Sequence, residues 1–173
     1  MKVGKVATGH GHGSTAKAAD GTQYYVYTTF DNYVGVTGPY VVKARIPKGY
    51  DDWVAGDATG IVKLLELDWN ANVHVSCRTP SSDWCAVSTY EMTLTTVPFY
   101  QEVWRLNLGS TLVAPQVQRL AHHRSEGTLP QGCGMSPYWA HPHATVSRDG
   151  VKIIFGSTWG TACRAEAYVF RTQ

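Results

Sequence analysis

Hydrophobic and polar residues alternate along most of this chain in short runs, a pattern typical of β-strands whose side chains point alternately to two faces. The clearest case is the segment 138–160, where two alternating runs flank the sequence Arg148-Asp149-Gly150. Asp and Gly tolerate the positive φ that hairpin turns require, so the segment predicts a hairpin. On its first arm, His141 and His143 are two positions apart and should project from the same face.

The same order of elements occurs three times along the chain, which indicates an internal repeat. Copies one and two span residues 9–70 and 71–125, and the third spans residues 138–173 but has one strand fewer. A strand-like segment from Met1 to Thr8 precedes the first copy and has no partner within it. The pattern predicts strands at residues 22–30, 40–46, 61–68, 72–78, 84–93, 101–108, 117–123, 139–147, 151–157 and 165–171.

The residues of the third copy also resemble a known architecture. Ser147-Arg-Asp-Gly-Val-Lys-Ile-Ile-Phe-Gly-Ser157, followed by Ala167-Tyr-Val-Phe170, is similar to the blade repeat of Tol-type and prolyl-oligopeptidase-type β-propellers. The resemblance implies an all-β protein, a partial β-propeller of about three four-stranded blades. A β-sandwich built from similar hairpins is the alternative.

Propellers close with about four to eight blades, so three blades cannot form a ring alone. Either the chain is a piece of a longer propeller, or two copies assemble into a homodimeric ring of about six blades. In such a dimer, the strand from Met1 to Thr8 would pair with the open edge of the partner's third blade. Both arrangements predict an exposed edge in the isolated chain.

Composition narrows the class of protein further. The chain has 173 residues, 43% of them hydrophobic, which suits one domain spanning residues 1–173. A net charge of +2 without any Lys/Arg cluster argues against a nucleic-acid partner. No apolar run is long enough for a membrane span and residues 1–5 lack a signal peptide, so we expect a soluble protein, although the propellers it resembles are often periplasmic or secreted.

Four cysteines fit no metal-binding Cys-x-x-Cys pattern. Cys77 and Cys85 fall on the two arms of one predicted hairpin, where a disulfide and a pair of reduced, packed thiols are both open. The redox compartment therefore stays undetermined.

Histidines are the main candidates for chemistry, because five of the seven lie where the three copies open and their first strands are expected: His10, His12, His74, His141 and His143. First strands are innermost in a propeller, so distant histidines could converge and bind a divalent transition metal. The sequence His141-Pro142-His143, with a histidine pair at His122-His123, resembles the manganese site of oligogalacturonate lyases. That resemblance implies His141 and His143 as ligands, completed by His74 or His122, although Tyr138 stands where those enzymes have a glutamine.

Two functions follow from these residues. The first is a non-enzymatic module that binds a glycan or a protein at its channel face, with Trp139, Trp159 and Arg124 as candidate ligand-binding residues. The alternative is a metal-assisted polysaccharide lyase, in which Arg124 and the metal would polarise a uronate carboxylate. Trp84 and Trp104 lie inside predicted strands and should pack in the core.

Overall fold

The computed structural model describes residues 12–29, 38–46, 60–78, 83–90, 98–125, 133–134, 136–160 and 163–172. These residues form three antiparallel sheets of four, four and three strands, which confirms the all-β expectation. The first sheet contains β1 (Gly13–Lys17), β2 (Gln23–Thr29), β3 (Tyr40–Arg45) and β4 (Ile61–Glu66). The second contains β5 (Asn72–Ser76), β6 (Trp84–Tyr90), β7 (Glu102–Asn107) and β8 (Val117–His122). The third contains β9 (Thr145–Val146), β10 (Lys152–Ser157) and β11 (Glu166–Arg171).

Each sheet is a meander in which strands that are consecutive in the chain pair with each other. The hairpin at Arg148-Asp149-Gly150 is present and joins β9 to β10. Gly150 adopts a φ of 74°, a left-handed conformation that glycine accepts without the clash a Cβ would bring. The Asp149 side chain accepts hydrogen bonds from Ser147 and from the backbone of Val151, and these bonds lower the pKa of its carboxyl.

One strand prediction was wrong over most of its length. Residues 139–147 were expected to be a strand, but a 3-10 helix covers Pro137–Ala140 and β9 contains only two residues. Ser136 caps this helix by accepting a hydrogen bond from the Tyr138 backbone N–H at 3.4 Å. Proline suits the first helical position because it lacks a backbone N–H, and an N–H there would have no acceptor within the helix. The two-residue alternation that first linked His141 to His143 is therefore not the geometry that places them.

The core consists of two main layers, one on each face of the second sheet. Val87, Trp104 and Leu106 pack toward the first sheet, whereas Val103 and Ile153 belong to the layer shared with the third sheet. All five are fully buried. Trp84 and Trp104 are 6% and 0% exposed, as predicted for core residues. The second sheet thus packs against the first sheet on one face and against the third sheet on the other.

The third sheet is buried on one face and open on the other. Ile153 is fully buried, whereas its neighbour Ile154 is 50% exposed and Val169, paired with Ile154 across β10 and β11, is 62% exposed. Within the described residues, β11 pairs only with β10, so its outer edge carries no strand. The segment from Met1 to Thr8, predicted to fill such an edge, lies outside the described residues.

The first strands of the three sheets lie side by side. β5 contacts β1 on one side and β9 on the other. Serine hydroxyls connect these strands: Ser14 accepts from the backbone N–H of Cys77 at 3.1 Å, and Ser76 accepts from that of Val146 at 3.3 Å. Residues that are distant in the chain therefore meet along this line of strands.

Two disulfides cross-link the described chain. Cys77 and Cys85 are bonded, with Cα atoms 4.2 Å apart, so the disulfide alternative is the one the structure adopts. A second bond joins Cys133 to Cys163, whose Cα atoms are 5.1 Å apart, and sequence reasoning did not anticipate it.

Of the helices in the described part, none has the length and apolar character that a membrane span needs.

Candidate metal centre

Three histidines converge beside the line of first strands. His74 lies in β5, His141 follows the 3-10 helix, and His143 lies two residues before β9. Each offers one ring nitrogen such that all three atoms lie within 4.8 Å of one another. Histidines from distant parts of the chain thus meet because β5 and β9 are neighbours across two sheets.

The backbone holds the two later histidines by local contacts. The His141 N–H donates to the Tyr138 carbonyl at 3.2 Å and ends the 3-10 helix. The Ala144 N–H donates to Ser88 at 3.1 Å, which ties the following residue to the second sheet. Between them, His143 adopts a left-handed φ of 43°, a conformation that costs a non-glycine residue about 1 kcal/mol or more. Strained residues of this kind cluster at functional sites.

Burial keeps the His74 ring neutral. His74 is 6% exposed, and neither ring nitrogen has a hydrogen-bond partner in the described part of the chain. Burial, followed by the neighbouring His143, His12 and His141, lowers the pKa of His74 to about 2. A buried polar group left without a partner costs about 1–3 kcal/mol, so the ring offers lone-pair nitrogen that a metal ion would satisfy.

The same physics acts on His143. Burial lowers its pKa below the ordinary value, and the nearby His141 and His12 rings lower it further. Its ring centroid is 3.9 Å from that of His74. Closely spaced imidazoles cannot all be protonated at low cost, so the cluster favours the neutral form that binds metals.

Aromatic rings and a cavity surround the cluster. The Tyr90 ring stacks on His74 at 4.2 Å between centroids and lies 4.3 Å from that of His141. An open cavity of about 270 Å³, lined in part by His12, His74 and His143, adjoins the cluster. An ion held by the three histidines would thus lie near the Tyr90 ring and beside a cavity that two of its ligands line.

Sequence reasoning missed two further residues of this site, one of them only in part. His12 lies before β1, with its ring centroid 4.3 Å from that of His74, so it borders the cluster without being one of the three residues whose ligand atoms converge. The sequence indicated His12 as part of the Gly-His-rich opening segment, but it did not indicate that His12 would lie beside His74. Tyr90 carried no signal, since an aromatic residue at a strand end is common in any all-β chain.

The remaining predicted site residues lie elsewhere. His122 is not in the cluster, because its Nε2 lies 3.3 Å from a carboxylate oxygen of Glu102, which also pairs with Arg119. Arg124 is not among the residues that line the cavity beside the cluster; its guanidinium lies 5.4 Å from the centroid of Trp159. Trp139 and Trp159 are 64% and 53% exposed.

His123, the neighbour of His122, is a structural residue. It is 1% exposed, its Nδ1 accepts from the Ser125 N–H at 3.0 Å, and its Nε2 therefore donates to the Thr89 carbonyl at 2.8 Å. Burial lowers its pKa to about 4, against the opposing effect of the Thr89 bond. The ring fixes β8 to β6 and has no lone pair left for a metal.

No protein-family model, curated protein or solved structure matches this chain. Its function is therefore inferred from its own residues and their geometry.

Proposed function

We propose that this chain is a metal-binding module in which His74, His141 and His143 hold a divalent transition-metal ion. The observation that carries the proposal is the convergence of the three imidazoles, whose ligand atoms lie within 4.8 Å of one another. The buried, unpartnered nitrogens of His74 support it. Burying polar nitrogens without a partner costs free energy, and a bound metal ion would remove that cost. Because a metal ion binds only deprotonated imidazole, rings that are already neutral bind it with little competition from protons.

The donor set favours zinc over the manganese that the sequence resemblance implied. Imidazole nitrogen suits zinc, copper, nickel and iron, whereas manganese prefers carboxylate and water oxygen. Manganese also binds most weakly of these ions to a given set of nitrogen ligands. Three histidines with a fourth position facing a cavity is the arrangement of zinc sites that exchange a water or ligand, rather than of closed structural sites.

Isothermal titration of the metal-free protein with zinc and with manganese tests this proposal. We expect one zinc per chain and weaker manganese binding, with loss of zinc binding in His141→Ala and His143→Ala. His122→Ala is the matched control, because it removes an exposed histidine outside the cluster and should bind zinc like the wild type. Equal zinc binding by all three variants, or none by the wild type, would overturn the proposal.

We further propose that the three sheets are blades of a β-propeller. Three consecutive meanders, with their first strands side by side and their faces packed on each other, support this reading. A second copy of the chain would then complete the ring across the open edge of β11 and the exposed pair Ile154 and Val169. The predicted N-terminal strand would take part in that contact.

Native mass measured by light scattering tests the assembly. We expect a dimer, converted to monomer by Val169→Glu, because a buried glutamate in an apolar contact is costly. Val113→Glu is the control, since Val113 is 95% exposed in the loop before β8. A wild-type monomer would refute the completed ring but would leave the zinc titration unaffected.

The contact between Arg124 and Trp159 favours a second candidate function, the binding of a glycan. Both residues have left-handed φ, 53° and 49°, and the Gly160 N–H donates to the Arg124 carbonyl at 2.6 Å, so the two are held together. The Trp159 ring also stacks on Tyr168 at 5.1 Å. An exposed ring fixed beside a cation can stack on a sugar while the guanidinium bonds its hydroxyls.

Tryptophan fluorescence with a panel of neutral and acidic oligosaccharides tests this candidate. We expect saturable quenching that Trp159→Ala abolishes. Trp69→Ala is the control, because Trp69 is 62% exposed in the turn after β4 and takes no part in the contact between Arg124 and Trp159. The same titration in both variants would exclude Trp159 as the platform.

A further inference from the structure

A second, larger cavity lies between the first strands of the three sheets and collects positive charge. Its volume is about 660 Å³, within the range of roughly 300–1,000 Å³ typical of small-ligand sites. Lys17 from the end of β1, Arg78 after β5 and Arg148 from the β9–β10 turn line it. The fold thus brings three cations from three separate sheets to one cavity, which no charge run in the sequence predicted.

None of these three side chains forms an ion pair within the described residues. Among the described residues that line the cavity there is no Asp or Glu, and the other lining residues include the polar Thr15, Gln23 and Thr145. The acidic residue nearest to Arg148 in the chain, Asp149, accepts instead from Ser147 and from the Val151 N–H. Unneutralised cations around one cavity repel each other, and a bound anion would remove that cost.

We infer that this cavity, a groove lined by the three cations, binds a small ligand with two or more oxyanion groups, carboxylate or phosphate. Arginine presents a planar fork of donors that matches the two oxygens of either group, and lysine adds a point charge. Three cations around one cavity need more than one negative group for balance. No aromatic residue is among the described residues that line the cavity, so these residues offer no stacking surface for nucleic-acid bases.

The groove adjoins the histidine cluster. Arg78 and Thr145 line both this cavity and the smaller one beside His74 and His143. One group of a bound oxyanion could thus reach the open position of the metal, a contact that rests on the proposed metal site. Binding in the groove itself requires no metal.

Titration calorimetry on the full, metal-free chain at low salt tests the inference with three probes. Pyrophosphate and propane-1,2,3-tricarboxylate carry several oxyanion groups, and acetate carries one. We expect the two multivalent probes to bind at least about tenfold more tightly than acetate and to weaken as salt is raised. If pyrophosphate binds more tightly, phosphate is the preferred group; if the tricarboxylate binds more tightly, carboxylate is. Absence of saturable binding by both up to millimolar concentration would overturn the inference.

Variants locate the site. Arg78→Gln and Arg148→Gln should each weaken the multivalent probes by about tenfold, because each removes a charge-assisted bidentate contact. Arg171→Gln is the matched control, since Arg171 is exposed on β11 and lines neither cavity. Lys17→Arg, which keeps the charge, should retain binding and checks that the groove tolerates substitution. Wild-type affinity in both Arg78→Gln and Arg148→Gln would overturn the assignment.

The two proposals fail separately. His143→Ala should abolish zinc binding yet leave pyrophosphate binding to the metal-free chain unchanged within about twofold, because His143 does not line the larger cavity. Loss of pyrophosphate binding in that variant, with unchanged near-ultraviolet circular dichroism, would contradict a groove that acts independently.

Discussion

Acidification should destabilise this protein through the buried imidazole of His123. In the folded chain, burial lowers the pKa of this ring to about 4, whereas an exposed histidine titrates near its ordinary value of 6.5. Between these two pH values the unfolded chain binds a proton that the folded chain does not. Stability from His123 is therefore fully present above pH 6.5 and is lost as the pH falls toward 4 and below.

The size of the loss follows from the two pKa values. They differ by roughly 2.5, and one pH unit corresponds to about 1.4 kcal/mol, so the full loss is about 3 kcal/mol. The fully buried ring makes hydrogen bonds at both nitrogens, and protonation would turn Nδ1 from an acceptor for the Ser125 N–H into a donor facing a donor. Both the burial and the bonding geometry thus oppose the charged form.

Urea unfolding at pH 7 and pH 4, followed by tryptophan fluorescence with a chelator present, measures this effect. His123→Gln should be less stable at pH 7 but should lose about 3 kcal/mol less than the wild type on acidification. Buried His74 contributes with the same sign in every variant and cancels in the comparison. Gln118→Ala, a substitution of an exposed residue of β8 that does not titrate, is the control and should follow the wild type. An unchanged pH dependence in His123→Gln would refute the reasoning.

Three further predictions concern the metal, the core and a disulfide. Zinc at about one hundred times its Kd should add about 2.7 kcal/mol and raise the Tm by roughly 5–10 °C in a thermal scan, and the shift should vanish in His143→Ala. Ile153→Ala, at a fully buried position between the second and third sheets, should cost about 2–5 kcal/mol in urea unfolding, whereas Ile154→Ala on the exposed face should cost far less. Replacing Cys77 and Cys85 together by alanine, which opens a loop with a separation of 8 residues, should cost about 2 kcal/mol by the same measurement.

Much of the fold was predictable because the pattern that specifies a strand is local. Alternation and turn residues placed β2, β3 and β6 within a few residues of their observed bounds. The burial of Trp84 and Trp104 followed from their positions inside strands. The error at residues 139–147 arose because a Ser-Pro helix start was hidden in a run whose polarity also suited a strand.

The candidate site was predictable only in part. The interest of His74, His141 and His143 came from their place at the start of successive repeat copies, and the structure brings these three together. His122 offers the same ligand chemistry, but its strand places it beside Glu102. Sequence spacing could not distinguish these cases, because the distance between residues in different sheets depends on how the sheets pack.

The amino-acid sequence by itself determined the all-β class, the threefold order of strands and the supply of histidines, since period-two alternation and turn chemistry act over a few residues. Only the tertiary structure decided which histidines meet, which cysteines bond and where charge collects. Lys17, Arg78 and Arg148 show the reason: they are scattered along the chain, and only the packing of β1, β5 and β9 side by side makes them neighbours around one cavity.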